Sequence, residues 1–119
     1  MDICIMCSSS IKSKEWIEVQ LIDCLYELFE VEKVLLGQGN VGEEFLLKIL
    51  GPKYTIELFP YSWEEFGIGA VHKRNIEMLG KSQFLLALHD GVSRSVEHGI
   101  SIALRKRIPF NVRYYSLNE

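Results

Sequence analysis

The sequence is poor in cysteine and proline, and it has no long apolar run. Its 119 residues include three cysteines and three prolines. An odd cysteine count without a signal peptide argues against a disulfide-stabilised secreted domain and predicts reduced thiols in the cytoplasm. The longest apolar stretch is far too short to cross a bilayer, so no membrane partner is expected.

A strong charge of either sign is also missing. Thirteen Lys and Arg stand against 16 Asp and Glu, for a formal net charge of −3. This balance argues against broad binding to nucleic acid. The run Arg105–Arg107 is a local exception. It fits the last turn of a helix, where cations complement the helix dipole, and a phosphate or RNA patch is the alternative.

The C-x-x-C pair Cys4 and Cys7 lacks the context of a metal site. Both cysteines lie in an apolar run whose alternation places them on opposite faces of a sheet. No second Cys or His pair follows at zinc spacing, so we expect neither a metal nor a cofactor.

Strand and helix patterns alternate along the whole chain. Apolar runs predict strands at 2–7, 31–36, 54–59, 82–89 and 108–112, and helical spacing predicts helices at 14–30, 43–50, 68–79 and from 92–95 to 107. Such alternation predicts a single Rossmann-like α/β domain over residues 1–119. Its five-stranded, mostly parallel sheet would carry helices on both faces.

Polar or glycine-rich loops follow three of the predicted strands. In parallel sheets, the carboxyl ends of the strands form the ligand-binding edge. Hydroxyl groups and glycine amides there can hold a phosphate, although serines also cap helices and glycines also serve tight turns. The G-x-G-x-x-G dinucleotide signature is missing. The candidate ligand-binding residues of these loops are Ser8, Ser9, Gly37, Gly39, Gly42, Asp90, Gly91, Ser93, Arg94 and Ser95.

The stretch from Trp63 to Asn75 contributes three more candidates. Trp63 lies in an aromatic loop that can stack on a base or simply be buried. Asn75 falls on the apolar side of a helix, where an amide must find a partner or face a ligand. Arg74 beside it suits a phosphate or carboxylate, with a surface ion pair to Glu77 or Glu64 as the alternative.

The predicted helix 14–30 is apolar over more than half of its circumference. One stripe, from Ile17 to Leu28, suits the core. A second set widens it, and that set predicts either a partner subunit or burial under a neighbouring helix. The widening residues are Val19, Ile22, Tyr26 and Phe29.

These motifs together make the chain resemble the SLOG superfamily, named for DNA-processing proteins and the Lonely Guy enzymes. The closest resemblance is to a branch of small bacterial and phage proteins. Its pattern is a glycine-rich turn, a Trp loop leading to an Arg-Asn helix, and an Asp-Gly-x-Ser turn. The matching residues are Gly37–Gly42, then Trp63, Gly67, Gly69, Ala70, Arg74, Asn75 and Met78, then Asp90, Gly91, Ser93, Ser95 and His98.

The resemblance implies a binding site for a nucleotide or nucleotide-derived small molecule, in a sensor or sequestering protein that is a homo-oligomer. The stretch from Asp90 to Ala103 also resembles the turn of nucleoside 2-deoxyribosyltransferases, which implies an N-glycosidic enzyme as the alternative. Asp90, Glu97 and His98 are then the catalytic candidates. The chain departs from the Lonely Guy enzymes at Arg94-Ser95, where those have Gly-Thr, and at His98, where they carry a glutamate. A pure interaction protein is the third hypothesis.

Overall fold

A five-stranded, all-parallel sheet forms the centre of the computed structural model, which describes residues 1–28, 30–60 and 67–116. The strand order is β3-β2-β1-β4-β5, and every neighbouring pair is parallel. The prediction of a Rossmann-like α/β fold is therefore confirmed. The strands are β1 (Asp2–Cys7), β2 (Lys33–Gln38), β3 (Thr55–Pro60), β4 (Phe84–His89) and β5 (Phe110–Tyr114).

Helices cover both faces of this sheet. They are α1 (Lys14–Gln20), which continues into a π-helical turn (Leu21–Leu25), α2 (Val41–Leu50), α3 (Ile68–Gly80) and α4 (Arg94–Lys106). The first two pack on one apolar cluster and the last two on the other. Alternation along β1 divides its side chains between the clusters, with Cys7 on the first and Cys4 on the second, as predicted.

The prediction of one regular helix over 14–30 is wrong in its second half. The α-helix ends at Gln20, and a π-helical turn follows, in which the Tyr26 amide donates to the Leu21 carbonyl at 3.0 Å. Leu21, Cys24 and Leu25 are all buried in this turn, as the predicted stripe requires.

Two of the residues that widen the apolar face lie in solvent. Val19 is 52% exposed and Ile22 is 57% exposed, so no neighbouring helix of the described chain buries them. Within the described residues, no helix combines the length and the hydropathy needed to span a bilayer.

The chain reverses its direction across the sheet at β1. From β1 it winds outward through β2 to β3, and it then crosses to β4 and β5 on the other side. Open parallel sheets bind ligands in the crevice beyond the carboxyl ends of the strands at such a switch point. The candidate site is therefore expected between β1 and β4.

Candidate functional site

A cleft of about 230 Å³ lies at this switch point. The ends of β1 and β2 and the N-termini of α2 and α4 border it, and α3 closes one side. The residues that line it are Cys7, Ser9, Gly39, Asn40, Glu43, Val71, Arg74, Ser93 and Ser95.

A buried ion pair forms one wall of the cleft. Arg74 Nη1 lies 3.3 Å from Glu43 Oε2, and the two side chains are only 8% and 2% exposed. Burial raises the pKa of Glu43, while the charge of Arg74 and the hydrogen bond from the Asn40 amide act in the opposite direction. Arg74 is therefore buried against α2 and is not a surface residue as the Glu77 alternative requires; Glu64 lies outside the described residues.

Two amides at the N-terminus of α2 are bonded by side chains of a capping box. Asn40 Oδ1 accepts from the Glu43 amide at 2.8 Å, and Glu43 Oε1 accepts from the Asn40 amide at 3.1 Å. This capping box stabilises the helix start. Asn40 Nδ2 also donates to the Cys7 carbonyl at 3.1 Å, which ties α2 to the end of β1.

The N-terminus of α4 is capped more lightly. Ser93 Oγ accepts from the Val96 amide at 3.4 Å. The amides of Arg94 and Ser95 in the same first turn have no acceptor within the helix, as in every α-helix. Since Ser93 and Ser95 line the cleft, this end of α4 presents amides and hydroxyl groups to a ligand.

Asp90 shapes the turn that leads into α4. Its carboxylate accepts from the Val92 and Ser93 amides at 2.9 and 2.8 Å and from Ser10 Oγ at 2.6 Å. Burial acts to raise the pKa of Asp90, but these hydrogen bonds outweigh it and lower the pKa. Ser8 completes the link from the other side, because its Oγ accepts from the Asp90 amide at 3.1 Å.

Asn75 lies behind the cleft, fully buried between α3 and α4. Its Nδ2 donates to the Ser95 carbonyl at 2.9 Å and lies 3.4 Å from His98 Nδ1. Within the described ranges, its Oδ1 has no hydrogen-bond partner. Asn75 therefore positions the first turn of α4 relative to α3.

The three catalytic candidates do not converge on the cleft. Glu97 Oε1 instead accepts from His89 Nε2 at 2.7 Å, and the Glu97 side chain is 58% exposed. His98 stacks on His72, with ring centroids 4.1 Å apart. Burial and the charges of His72 and Arg105 lower the pKa of His98. Asp90 is occupied by its own turn, so the residues form no catalytic constellation in this conformation.

Of the three candidate glycines at the start of α2 and in the turn before it, two pack closely against other side chains. A β-carbon on Gly37 would overlap Glu43 Oε2 and lie 2.5 Å from Arg74 Nη1. A β-carbon on Gly42 would lie 2.5 Å from Cys7 Sγ. Neither residue lines the cleft, whereas Gly39 does. Gly37 and Gly42 therefore lie in packed surroundings outside the lining of the cleft, and their contact with a ligand stays a prediction.

The remaining predictions divide between the cleft and its surroundings. Ser9, Arg74, Ser93 and Ser95 line the cleft. Ser8 is buried and Arg94 is exposed, and neither is part of the lining. Gly91 has a φ of 93°, and its amide donates to His89 Nδ1, so it has a conformational role. Trp63 lies outside the described residues.

Sequence reasoning missed Asn40 and Glu43. The signal was present, because Asn-x-x-Glu before an apolar run is the signature of a capping box. With this capping box, α2 begins at Val41 rather than at the predicted Glu43. Cys7 was assigned to the core alone, although it reaches the cleft; burial, Glu43 and Asp90 raise the pKa of its thiol to about 12. Cys7 is therefore protonated and a poor nucleophile at neutral pH.

The chain matches no family model, no curated protein and no solved structure. In the described part of the chain, no three His, Cys, Asp or Glu side chains are grouped so that they can hold a metal ion. The chemistry of the site therefore has to be argued from its geometry.

Proposed function

We propose that the protein binds a nucleotide or nucleotide-derived small molecule in the cleft between β1 and β4. The observation that carries the proposal is the convergence of the α4 N-terminus, three serines and the Arg74 guanidinium at the switch point. The resemblance to the SLOG superfamily, of which we propose the chain is a member, supports the same class of ligand.

The phosphate belongs at α4 rather than at the glycine-rich turn before α2. The positive end of the α2 dipole already has the carboxylate of Glu43 against it, and a second anion there would meet this charge. At α4 the cap is an uncharged serine, and the acidic residue of the first turn, Glu97, is directed to His89. Ser9 and Ser93 supply hydroxyl groups at the same place.

The rest of the ligand then faces the wall formed by Val71, Asn40 and the Glu43–Arg74 pair. An aliphatic surface beside polar groups suits a sugar with hydroxyl groups to donate. The volume of about 230 Å³ is below the roughly 300–1,000 Å³ that enclose a whole drug-sized ligand. The described part of the cleft therefore fits a phosphate and a sugar better than a dinucleotide.

Thermal unfolding with a ligand panel tests this proposal. The panel pairs each nucleoside with its monophosphate and adds cyclic nucleotides and ADP-ribose. A ligand present at 100 times its dissociation constant stabilises the folded state by about 2.7 kcal/mol, which gives a clear shift. We expect shifts only with phosphorylated members. If nucleosides shift the melting temperature as much as their monophosphates do, the phosphate is not bound at α4. If no member of the panel shifts the melting temperature, the proposal is wrong.

A second candidate function is cleavage of an N-glycosidic bond, and Glu43 is the observation that favours it. Glu43 is a buried carboxylate in the cleft itself, paired with Arg74, and a carboxylate at this place is the group that attacks or stabilises the sugar carbon from which the base departs. Chromatography of the same mixtures tests for a free base. This function is supported if the protein releases a free base, if Glu43→Gln abolishes the release and if Glu97→Gln does not. Ligands recovered intact leave binding alone.

A further inference from the structure

A groove with an apolar floor and a basic rim lies between α3 and α4, apart from the cleft. It measures about 290 Å³ and is lined by Ile76, Ile102, Arg105 and Lys106, which we call the basic groove. Ile76 is half exposed there. The Lys106 ammonium lies 3.8 Å from the β-carbon position of Gly80, so this side chain spans the two helices. Glu77 is exposed beside Ile76 as an acidic residue on α3.

A surface of opposite character lies on α1 and its π-helical turn. Val19 and Ile22 are more than half exposed and stand three residues apart, so they are neighbours on the helix surface. Exposed acidic side chains surround them, and Asp23 among these also makes a 3.8 Å contact with Arg113. We call the set Glu15, Glu18, Val19, Ile22 and Asp23 the acidic ridge.

The charges of the chain are segregated between these two surfaces. Residues 103–107 carry three basic side chains and no acidic one. Residues 14–32 carry a single basic residue, Lys14, and six acidic ones, which are Glu15, Glu18, Asp23, Glu27, Glu30 and Glu32. Copies with a net charge of −3 repel one another overall, so attraction between them depends on orientation. The orientation that brings ridge to groove pairs opposite charges and covers both apolar patches.

We propose that the acidic ridge of one copy of this chain docks in the basic groove of a second copy. Ile22 and Val19 cover the floor at Ile76 and Ile102, and the acidic side chains face Arg105 and Lys106. The two surfaces lie on opposite faces of the sheet, because α1 packs on one core cluster and α4 on the other. The contact is therefore heterologous, and it propagates head to tail into a ring or an open chain.

The apolar floor favours a second copy over a nucleic acid as the occupant. A phosphate backbone is held by cations and polar groups and gains nothing from exposed isoleucines. The basic groove combines cations with exposed apolar surface, and the acidic ridge of the same chain combines acidic side chains with exposed apolar surface. Binding of RNA by the groove is an outcome that the test can detect.

Sedimentation velocity over a concentration series tests the proposal, using the full chain. We expect the average mass to rise with concentration and to pass beyond a dimer without a plateau. It should fall toward the monomer in about 1 M NaCl, where the Debye length is only about 3 Å. A monomer at every concentration overturns the proposal. It is also overturned if the wild type does not self-associate but binds added RNA, and Arg105→Glu abolishes that RNA binding.

Two surface variants distinguish the geometry. Ile22→Asp places a charge on the ridge, and Arg105→Glu reverses a charge at the groove. Both residues are exposed, so the fold is expected to persist, and circular dichroism checks this. Each variant alone should be a monomer, yet their equimolar mixture should form a 1:1 complex, because one intact ridge and one intact groove remain.

The mixture separates this arrangement from a symmetric dimer. A dimer formed through α1 alone would be lost in Ile22→Asp and kept in Arg105→Glu, which overturns the proposal. A mixture that stays monomeric also overturns it. Val92→Asp, which changes an 80% exposed valine outside both surfaces, is the matched control and should associate like the wild type.

Discussion

The substitution Gly37→Ala tests whether this glycine exists for packing or for a ligand. Gly37 has no positive φ, so its backbone conformation does not demand glycine. The added methyl group would overlap Glu43 Oε2 and approach Arg74 Nη1 to 2.5 Å. Both side chains are buried, at 2% and 8% exposure, and have little room to move.

The magnitude follows from what the ion pair does in response. If it shifts as a unit, overpacking costs about 1–3 kcal/mol. If the methyl group separates the two charges, the cost approaches the roughly 3–5 kcal/mol of a broken buried pair. We therefore expect Gly37→Ala to lower the free energy of unfolding by about 2–4 kcal/mol, measured by urea denaturation with the m-value unchanged.

Gly69→Ala is the matched control, since no atom of the described residues lies within 4 Å of its β-carbon position in the first turn of α3. The same chemical change should there raise stability by up to about 1 kcal/mol. In a Glu43→Ala background, Gly37→Ala should cost less, because one of the two clashing groups is gone. A neutral or stabilising Gly37→Ala, or a cost unchanged in that background, would refute this account of the glycine.

Three further predictions concern α4 and its neighbours. Ser95→Asp should stabilise the start of α4 by about 0.3–1 kcal/mol, because it adds a negative charge at the helix N-terminus. The same charge should weaken binding of a phosphorylated ligand about tenfold, since it repels the phosphate by on the order of 1 kcal/mol. The control Ser101→Asp, farther along α4, should have neither effect. Asp90→Asn should cost about 1–2 kcal/mol at pH 7, because the amide nitrogen that replaces Oδ2 cannot accept from the Ser10 hydroxyl group. The pKa of Asp90 is lower in the folded state than its unfolded value near 3.8. Its carboxylate therefore stabilises the fold fully above the unfolded pKa, and this stabilisation is lost as the pH falls through the folded pKa. The cost of Asp90→Asn should shrink over that pH range. His72→Phe should keep an aromatic ring stacked on His98. It should raise the pKa of His98, measured by NMR titration, because the charge of His72 is one cause of the lowered value.

Each of these predictions has a result that would contradict it. Ser95→Asp with unchanged affinity argues against a phosphate at α4. A pH-independent cost of Asp90→Asn means that its carboxylate is not specifically stabilised in the fold. A pKa of His98 that does not change in His72→Phe removes the second histidine as a cause of the lowered value.

The position of the site was predictable from the sequence because it depends on local patterns. Runs such as residues 2–7 and 82–89 are apolar throughout, and this marks central strands buried on both faces. The loops after them must then lie at one edge of a parallel sheet. Ser9, Ser93 and Ser95 are in the cleft for this reason.

The direction of individual side chains was not predictable in the same way. Glu97 and His98 are adjacent in sequence and look like a catalytic pair, but a helix places neighbours about 100° apart. One therefore contacts His89 on β4 and the other contacts His72 on α3. No local pattern contains that information, because it depends on which elements pack on either side of α4.

Hydrophobic periodicity and short connections were enough to predict the order of strands and helices along the chain, the parallel sheet and the edge at which the candidate loops gather. Only the tertiary structure decided that Arg74 pairs with Glu43 over Gly37, because that contact joins α3 and α2 across the end of β2. The glycine-rich turn thereby became part of the packing. The start of α4, capped by a single serine, is where we propose that an anion binds.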